Sequence, residues 1–399
     1  MRASDHKNVD LYTLNRDVIR GQAHGMVLWQ PRTGAWFDDR DYLGIPYPAP
    51  FTGLSYEQAY RDLGCSDRLY WHYCCFEKVY PASVRETTVQ HDPLKTERVI
   101  ETPVGRVNQI SVGNTSNGGT FPVKWWVTEE EDLEVFIWLE EHTEWRYNHQ
   151  TYLNGLSASR EFGYPITMMP RVNIQNLFLD LMGVEEAVYA LYDYPETVEK
   201  YFTALSESQH RMMRLICQSP IEQVNFGDNL HCKMLPPDLF KKYVLPEYQK
   251  RNELLHAAGK FTSSHWDGDT ELLLPLAKET GLDAIEAITP IPQGDVTLEQ
   301  MKKGLGDDIF LMDGIPALLF EESYPLEQLR ETTLRLMELF APKLILGISD
   351  EISSNGQLER IALVRELVDD YNARVTIGQE DYLRTLRRES SEGSEEARP

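Results

Sequence analysis

The sequence predicts an α/β fold in which strand–helix units surround a parallel sheet, as in a β/α barrel. From about residue 195 onward, long amphipathic helical patterns alternate with short apolar runs, and this alternation is typical of β/α units. The 399 residues, 42% of them hydrophobic, can bury a large core, as one barrel-sized domain or as two smaller ones.

The N-terminal half gives weaker signals. Residues 25–39 ("GMVLWQPRTGAWFDD") supply a candidate first strand, and residues 165–173 ("PITMMPRVN") supply another. Between them, residues 97–113 ("ERVIETPVGRVNQISVG") predict a hairpin with a Pro-Val-Gly turn. We expect this aromatic-rich part to form an N-terminal extension or hairpin insert near the barrel mouth.

The C-terminal half predicts five strands that alternate with helices. The strands are expected at residues 221–228, 260–265, 282–287, 308–314 and 343–350. The helices are expected at residues 195–219, 236–259, 269–281, 297–306, 325–341 and 356–373.

Each of the five predicted strands ends in or beside a polar residue. These residues are Asp228, His265, Glu286, Asp313 and Asp350. In a β/α barrel the loops after the strand carboxyl ends build the active site. Five polar side chains in this one register therefore predict a functional site there.

The stretch "FTSSHWDGD" (residues 261–269) predicts a metal site. His265 and Asp267 are one residue apart, so in an extended segment their side chains point the same way. Glu286 and Asp350 add carboxylates, and one nitrogen with several oxygens suits zinc or a similar divalent metal. The alternative is that Asp267 or Asp269 caps a helix and His265 forms an interior hydrogen bond.

Further candidates follow from the same register. As catalytic groups the sequence offers Asp228 and Asp313, each of which could instead cap a turn. As substrate-binding groups we expect Trp29, Arg32, Trp36, Asn173, Asn229 and His231. For the two tryptophans the alternative is core packing, which is the commoner role of aromatic residues.

Composition excludes several classes of partner. The chain carries 39 Lys and Arg against 63 Asp and Glu, a formal charge of −24, so nucleic acid and anionic membranes are disfavoured. No apolar run reaches the roughly 20 residues of a membrane span, and the start lacks a signal peptide's apolar region. We therefore expect a cytoplasmic protein. Five cysteines without a C-x-x-C pair indicate neither a disulfide framework nor a zinc knuckle.

One continuous stretch carries a resemblance to a known family. Residues 226–287 run through a Gly-Asp turn, a proline-containing helix, a strand ending in His, then "LLPL" and "GLDAIE". This order resembles the uroporphyrinogen decarboxylase superfamily, whose members are single (β/α)8 TIM barrels. The resemblance implies an N-terminal segment at 1–24 and a barrel at 25–385. The remaining residues, 386–399, are polar and charged and predict a disordered acidic tail.

The resemblance favours one branch of that superfamily. Its decarboxylases carry an "MRQAGR"-type segment, of which "QPRTGAW" keeps only Arg32, and a "GHG" histidine where this chain has "GISDEI". Its methyltransferases bind zinc through a His-x-Cys pair and a later Cys. In this chain His265 matches the His and Asp267 stands in place of the first Cys.

The remaining correspondences complete the ligand set that the resemblance implies. Glu286 resembles a Glu that the similar barrel of cobalamin-independent methionine synthase adds, and Ser349 or Asp350 replaces the final Cys. With nitrogen and carboxylate ligands, zinc is a harder Lewis acid that favours oxygen substrates.

The expected function is therefore transfer of a methyl group from a small methylated, and by preference methoxylated, compound. The acceptor would be a cobalamin-type corrinoid on a partner protein, because this chain has no D-x-H-x-x-G corrinoid motif. The sequence leaves open whether the protein forms a homodimer. One alternative is a decarboxylase-like lyase that uses Arg32 and Arg171 for substrate carboxylates, and another is a non-catalytic corrinoid- or ligand-binding homologue.

Overall fold

The computed structural model describes residues 10–115 and 119–377. Its strands are β1 (Leu28–Trp29), β2 (Phe76–Val79), β3 (Arg85–Asp92), β4 (Lys95–Thr102), β5 (Gly105–Gly113), β6 (Thr120–Lys124), β7 (Glu144–Tyr147), β8 (Thr167–Met169), β9 (Gln223–Phe226), β10 (Phe261–His265), β11 (Ala284–Glu286), β12 (Phe310–Pro316) and β13 (Leu344–Ser349).

The α-helices of the described residues are α1 (Leu11–Ile19), α2 (Gly34–Leu43), α3 (Tyr56–Leu63), α4 (Glu130–His142), α5 (His149–Ser159), α6 (Asn173–Asn176), α7 (Val184–Asp193), α8 (Pro195–Gln218), α9 (Pro237–Leu239), α10 (Leu245–Ala257), α11 (Leu298–Leu305), α12 (Leu326–Phe340) and α13 (Leu358–Ile377). Three 3₁₀ turns (Trp71–Cys75, Leu274–Glu279 and Ala317–Phe320) and two π-helical segments (Leu177–Leu181 and Phe240–Val244) complete the set.

A seven-stranded parallel sheet forms the centre of the protein, in the order β1-β13-β12-β11-β10-β9-β8. All seven strands that the sequence predicts for this sheet are confirmed, five from the C-terminal half and two from the N-terminal half. Strands β8 to β13 follow each other both in space and along the chain, and β1 pairs with the last of them. The fold class is therefore α/β with a parallel central sheet, as expected.

Residues 66–69 lie between the two edge strands of this sheet. The Ser66 N–H donates to the Trp29 carbonyl of β1 at 2.9 Å, and the Ile166 N–H, just before β8, donates to the Leu69 carbonyl at 2.5 Å. The segment is not a regular strand, yet it connects both edges of the sheet by backbone hydrogen bonds.

An apolar layer fills the amino-terminal end of the sheet. Leu14 and Val18 of α1 are buried in one cluster with inward-facing residues of several strands. The cluster's strand residues and their neighbours include Leu28, Ile166, Ala284, Phe310, Met312 and Ile345. Helix α1 thus covers this end, and the predicted site residues lie at the opposite, carboxyl end of the strands.

The predicted hairpin is confirmed inside a larger insert. Strands β4 and β5 pair with Thr102 opposite Gly105, and they form the middle of a four-stranded antiparallel sheet ordered β3-β4-β5-β6. Ile100 and Val107 are buried in the main core, and a methyl group built on Gly105 would lie 2.9 Å from Val135 of α4. The insert therefore packs on α4.

The predicted helix at 269–281 is wrong in length and type, because the structure has only a 3₁₀ turn at Leu274–Glu279. Pro275 has no N–H for a helical hydrogen bond. The N–H groups of Thr270 and Glu271 are also taken by the Asp295 carboxylate instead of by a helix cap on the same segment.

Within the described ranges, no helix is both long enough and apolar enough to cross a bilayer. The five cysteines form no disulfide. The predicted tail at 386–399 and residues 1–9 of the predicted N-terminal segment lie outside the described residues.

Candidate functional site

Polar side chains gather at the carboxyl ends of β10 to β13, as the strand register predicts. His265 and Glu286 are the last residues of β10 and β11 and are directly paired in register. Asp313 lies within β12, and Asp350 follows the last residue of β13.

His265 faces two different environments through its two ring nitrogens. Nδ1 lies 2.8 Å from Oε1 of Glu286, whereas Nε2 lies 3.9 Å from Oδ2 of Asp267 and 4.0 Å from Oδ1 of Asp350. An ionised carboxylate only accepts hydrogen bonds, so Nδ1 donates to Glu286. Nε2 of the neutral ring then presents its lone pair to the two aspartates.

His265, Asp267 and Asp350 form the group of side chains able to share a metal ion. One ligand atom from each lies within 4.8 Å of the other two, and ligands bound at about 2.0–2.2 Å to one zinc ion lie within about 4.4 Å of each other. Small side-chain adjustments therefore suffice. The Asp350 side chain is 53% exposed, so this side of the group is open to a substrate. The donor set of one imidazole and two carboxylates fits a divalent cation.

Glu286, which we expected among the metal ligands, lies on the other side of the imidazole. It is fully buried, and it accepts from Nη1 of Arg68 at 3.1 Å and from the Tyr70 hydroxyl at 3.1 Å. Burial alone would raise the pKa of Glu286, but the Arg68 charge and the His265 hydrogen bond hold this pKa well below its usual range. Its geometry is that of a carboxylate that orients the histidine.

Asp313, predicted as a catalytic group, faces an interior cation. Both its oxygens lie 2.8 Å from the guanidinium of Arg68, and the Ala287 N–H donates to it at 3.1 Å. Gly347 on β13 leaves the room for it, because a methyl group there would lie 2.3 Å from Asp313 Oδ1. With its oxygens used in this way, Asp313 has a structural role.

Arg32, predicted to bind substrate, lies beside the candidate metal group. Nη1 is 3.6 Å from Asp350 Oδ1, and Nη2 is 3.3 Å from Glu351 Oε1. Nη1 is buried and has no hydrogen-bond partner among the described residues. This arrangement offers a hydrogen-bond donor to a polar or anionic group of a ligand.

Asp228, the other predicted catalytic group, is a buried hydrogen-bond acceptor. It accepts from the Val172 N–H at 2.7 Å and from the Tyr248 hydroxyl, which also contacts Ser264 Oγ at 2.7 Å. Burial raises its pKa. Ser264 precedes His265 in β10 and therefore faces the other side of the sheet. Asp228 thus lies on the helix side, away from the candidate metal group.

Trp29 and Trp36, which the sequence predicts to line a substrate pocket, lie in the apolar core instead. Trp29 precedes Gln30, whose side chain accepts from Arg68 in the interior, so Trp29 faces the helices instead. Trp36 is 1% exposed, its Nε1 donates to the Gly356 carbonyl, and Arg40 stacks on its ring.

The three remaining predicted substrate residues have different positions. Asn173 is buried, and its amide donates to the Tyr243 carbonyl at 3.0 Å while its oxygen accepts from the Ile174 N–H, which is a structural role. Asn229 adopts a positive φ of 50° in the turn after β9. His231 is half-buried, and a methyl group built on Gly268 would lie 3.5 Å from its Cβ. His231 therefore borders the loop that holds Asp267.

The sequence analysis missed Arg68, Tyr70 and Gln30. Arg68 and Tyr70 lie in a segment without hydrophobic periodicity, so no pattern marks them, and Gln30 lies in the candidate first strand without a feature that sets it apart. A charge argument offers one signal, because two carboxylates at the ends of buried strands require an interior cation. That argument predicts a buried Arg or Lys but does not say which one.

These observations define an α/β protein with a parallel central sheet and an ionisable site at the carboxyl ends of its strands. Residues 176–371 match the family model described as Uroporphyrinogen decarboxylase (URO-D), and the match covers the strands β9 to β13 that carry the site. The match confirms the resemblance to the uroporphyrinogen decarboxylase superfamily that is seen in the sequence.

Similar solved structures include a methyltransferase from Methanosarcina mazei. It has a TM-score of 0.56 and 12% sequence identity, and the alignment covers 91% of this chain and 99% of the other. At this identity the similarity is one of fold. A ribulose-1,5-bisphosphate carboxylase/oxygenase from Pyrococcus horikoshii, at 12% identity and with 76% of this chain and 82% of the other covered, reaches a TM-score of only 0.27. No curated protein matches the sequence.

Proposed function

We propose that this protein is a metal-dependent methyltransferase, with zinc as the metal, that takes a methyl group from a small methoxylated compound. The acceptor would be a corrinoid carried on a partner protein. One observation carries the proposal. His265 Nε2, Asp267 and Asp350 converge within 4.8 Å, and Glu286 accepts a hydrogen bond from the opposite ring nitrogen at 2.8 Å. A carboxylate behind a histidine is the usual support of a histidine that binds a metal.

We also infer that the central sheet closes into a (β/α)8 barrel. The hydrogen bonds of residues 66–69 to both β1 and β8 support this inference, because they put an irregular eighth segment in the gap between the edge strands. In such a barrel the site lies at the carboxyl-terminal mouth, where a partner protein has access to Asp350.

The side chains of the site divide the work of binding and orientation. His265, Asp267 and Asp350 would hold the cation, and Glu286 fixes the ring of His265 so that Nε2 points to them. A divalent cation bound there supplies Lewis acidity toward the ether oxygen of the donor. Arg32, with its unpartnered Nη1, is placed to donate a hydrogen bond to a polar group of the substrate.

The overall reaction breaks the bond between the methyl carbon and the ether oxygen of the donor. Co(I) of the partner's corrinoid would supply the electron pair of the new carbon–cobalt bond and become methyl-Co(III). The donor oxygen keeps the electron pair of the broken bond, takes a proton from solvent and leaves as an alcohol or phenol. Departure of an alkoxide or phenolate is the difficult part, because negative charge develops on that oxygen. The proposed cation, together with Arg32, would stabilise this charge.

The test is metal content together with methyl transfer. We expect about one zinc per chain in the wild type and loss of zinc in His265→Ala and Asp267→Ala, with methylation of a Co(I) corrinoid protein lost in parallel. Asp269→Asn is the matched control, since Asp269 pairs with Lys233 and lies outside the cluster. Full methyl transfer by zinc-free His265→Ala protein would refute the proposal.

A second candidate, a lyase acting on a carboxylate substrate, is favoured by Nη1 of Arg32, which makes no hydrogen bond within the described residues. The other arginine suggested for this role is less suited, because Arg171 is paired with Asp180 at 2.7 Å. Release of carbon dioxide from a porphyrinogen or another carboxylic acid, abolished in Arg32→Met, would support this candidate. Absence of metal together with tight binding of a corrinoid carrier would favour a non-catalytic binding protein.

A further inference from the structure

Below the candidate metal group lies a fully buried ionic cluster of one cation and two carboxylates. The side chain of Arg68 is 2% exposed, and those of Glu286 and Asp313 are 0% exposed. Charges are rarely buried to this extent unless each has a partner. The cluster is therefore a specific ionic arrangement of the interior, and Glu286 connects it to His265.

The guanidinium of Arg68 fixes the positions of both carboxylates. Its Nη1 and Nη2 bond the two oxygens of Asp313 at 2.8 Å, its Nη1 also bonds Glu286 Oε2 at 3.1 Å, and its Nε bonds Gln30 Oε1 at 3.0 Å. The guanidinium is a planar fork of N–H donors, and a fork with several partners permits few orientations. Asp313 and Gln30 therefore fix the orientation of the guanidinium, which in turn fixes the position of Glu286.

This arrangement leaves one oxygen of Glu286 for the histidine. Oε2 is held by Arg68, whereas Oε1 accepts from His265 at 2.8 Å and from Tyr70 at 3.1 Å. Without Arg68, Oε2 would keep only the Tyr70 hydroxyl at 3.4 Å, and the carboxylate could then rotate so that its acceptor moves away from Nδ1. The form of His265 with its proton on Nε2 would then compete, and that form points a hydrogen instead of a lone pair at Asp267 and Asp350.

We propose that Arg68 is a positioning residue of this site, which holds Glu286 so that His265 keeps its proton on Nδ1 and its Nε2 lone pair toward the metal position. The inference rests on the proposed function only where metal affinity is concerned. Arg68 itself makes no hydrogen bond or ion pair with His265, Asp267 or Asp350 in the described structure.

Two variants separate this role from simple support of the fold. Arg68→Lys keeps the positive charge but cannot form the fork that joins two carboxylates. Should Arg68→Lys not fold, the double variant Arg68→Met/Asp313→Leu removes the cation together with the carboxylate that it bonds through both oxygens, so that Glu286 keeps only Tyr70 and His265 as side-chain partners. Arg360→Lys is the matched control, because Arg360 is another buried arginine, bonded to the Leu319 and Tyr324 carbonyls.

The first measurement is ¹⁵N NMR of the histidine rings in metal-free protein, with the His265 signal assigned by its loss in His265→Gln. We expect the wild type and Arg360→Lys to carry the proton on Nδ1. The Arg68 variants are expected to show the Nε2-protonated form or a mixture. An unchanged Nδ1-protonated ring in the Arg68 variants would overturn the inference, whatever their thermal stability.

The second measurement is zinc affinity by competition with a chelator. Loss of a group that orients a metal-binding histidine lowers affinity by about 10–100-fold, and we expect this for the Arg68 variants but not for Arg360→Lys. Equal zinc affinity in Arg68→Lys and wild type would also contradict the inference. If the wild type binds no zinc, the proposed function fails, and the NMR measurement still decides the role of Arg68.

Discussion

Replacing Asp228 with alanine is expected to destabilise the protein without removing the candidate metal site. The change deletes the acceptor of the buried Val172 N–H and of the Tyr248 hydroxyl. A buried donor left without a partner costs about 1–3 kcal/mol. Tyr248 keeps Ser264 as a second partner, so we expect a total loss of about 2–4 kcal/mol in the free energy of unfolding.

The isosteric Asp228→Asn variant is the control for this prediction. Its amide oxygen still accepts from Val172, and its amide nitrogen can donate to Tyr248, whose hydroxyl then donates to Ser264. We expect its unfolding free energy to lie within about 1 kcal/mol of the wild type. Urea unfolding followed by tryptophan fluorescence measures both variants, and zinc content is measured on the folded protein.

The opposite pattern would refute this reasoning. If Asp228→Asn were as stable as the wild type but inactive in methyl transfer, Asp228 would be a catalytic residue, as the sequence alone suggests. If Asp228→Ala unfolded at the same urea concentration as the wild type, the two buried hydrogen bonds would have no net effect on stability.

Three further predictions concern packing and pH. Gly347→Ala would put a methyl group 2.3 Å from Asp313 Oδ1, and we expect a loss of about 1–3 kcal/mol in stability; an unchanged urea midpoint would contradict the close packing. Burial lowers the pKa of His72 from 6.5 to about 4. As pH falls from 6.5 to 4, this histidine therefore gains a proton in the unfolded chain before it does so in the folded protein, and the wild type loses stability over this range. The His72→Phe variant should lose less stability over the same pH range. Equal pH dependence of the melting temperature in this variant and in the wild type would contradict this prediction. Burial raises the pKa of Asp67 from 3.8 to about 6, so the unfolded chain ionises first and stability falls as pH rises from 3.8 to 6. Asp67→Asn should not show this fall, and a variant with the wild-type pH profile would refute the prediction.

The strands of the C-terminal half are predictable because they are local features. Buried parallel strands form short apolar runs, and the residue that ends each run lies at the carboxyl edge of the sheet. This reasoning found His265 and Glu286 as neighbours and Asp350 close to them. It also put His265 and Asp267 on one side of the chain, and their side chains do meet.

The roles of these residues were harder to predict, because they depend on contacts across the sheet. The sequence does not distinguish Glu286 from a metal ligand. That distinction depends on two contacts, the hydrogen bond from His265 Nδ1 to one oxygen of Glu286 and the bond from Arg68 to the other. Arg68 itself lies in a segment with no periodic pattern. Trp29 shows a further limit, since one residue of strand register decides whether a side chain faces the interior or the helices.

The ionic cluster also has a consequence for the order of events during synthesis. Arg68 precedes Glu286 by 218 residues and Asp313 by 245 residues along the chain. At about 5–20 residues per second, a ribosome needs on the order of 10–50 s to add the missing carboxylates. An arginine without its partners is costly to bury, so the nascent N-terminal part is expected to stay open during this interval. The folding step that brings residues 66–69 together with β11 and β12 would then come after translation of β12.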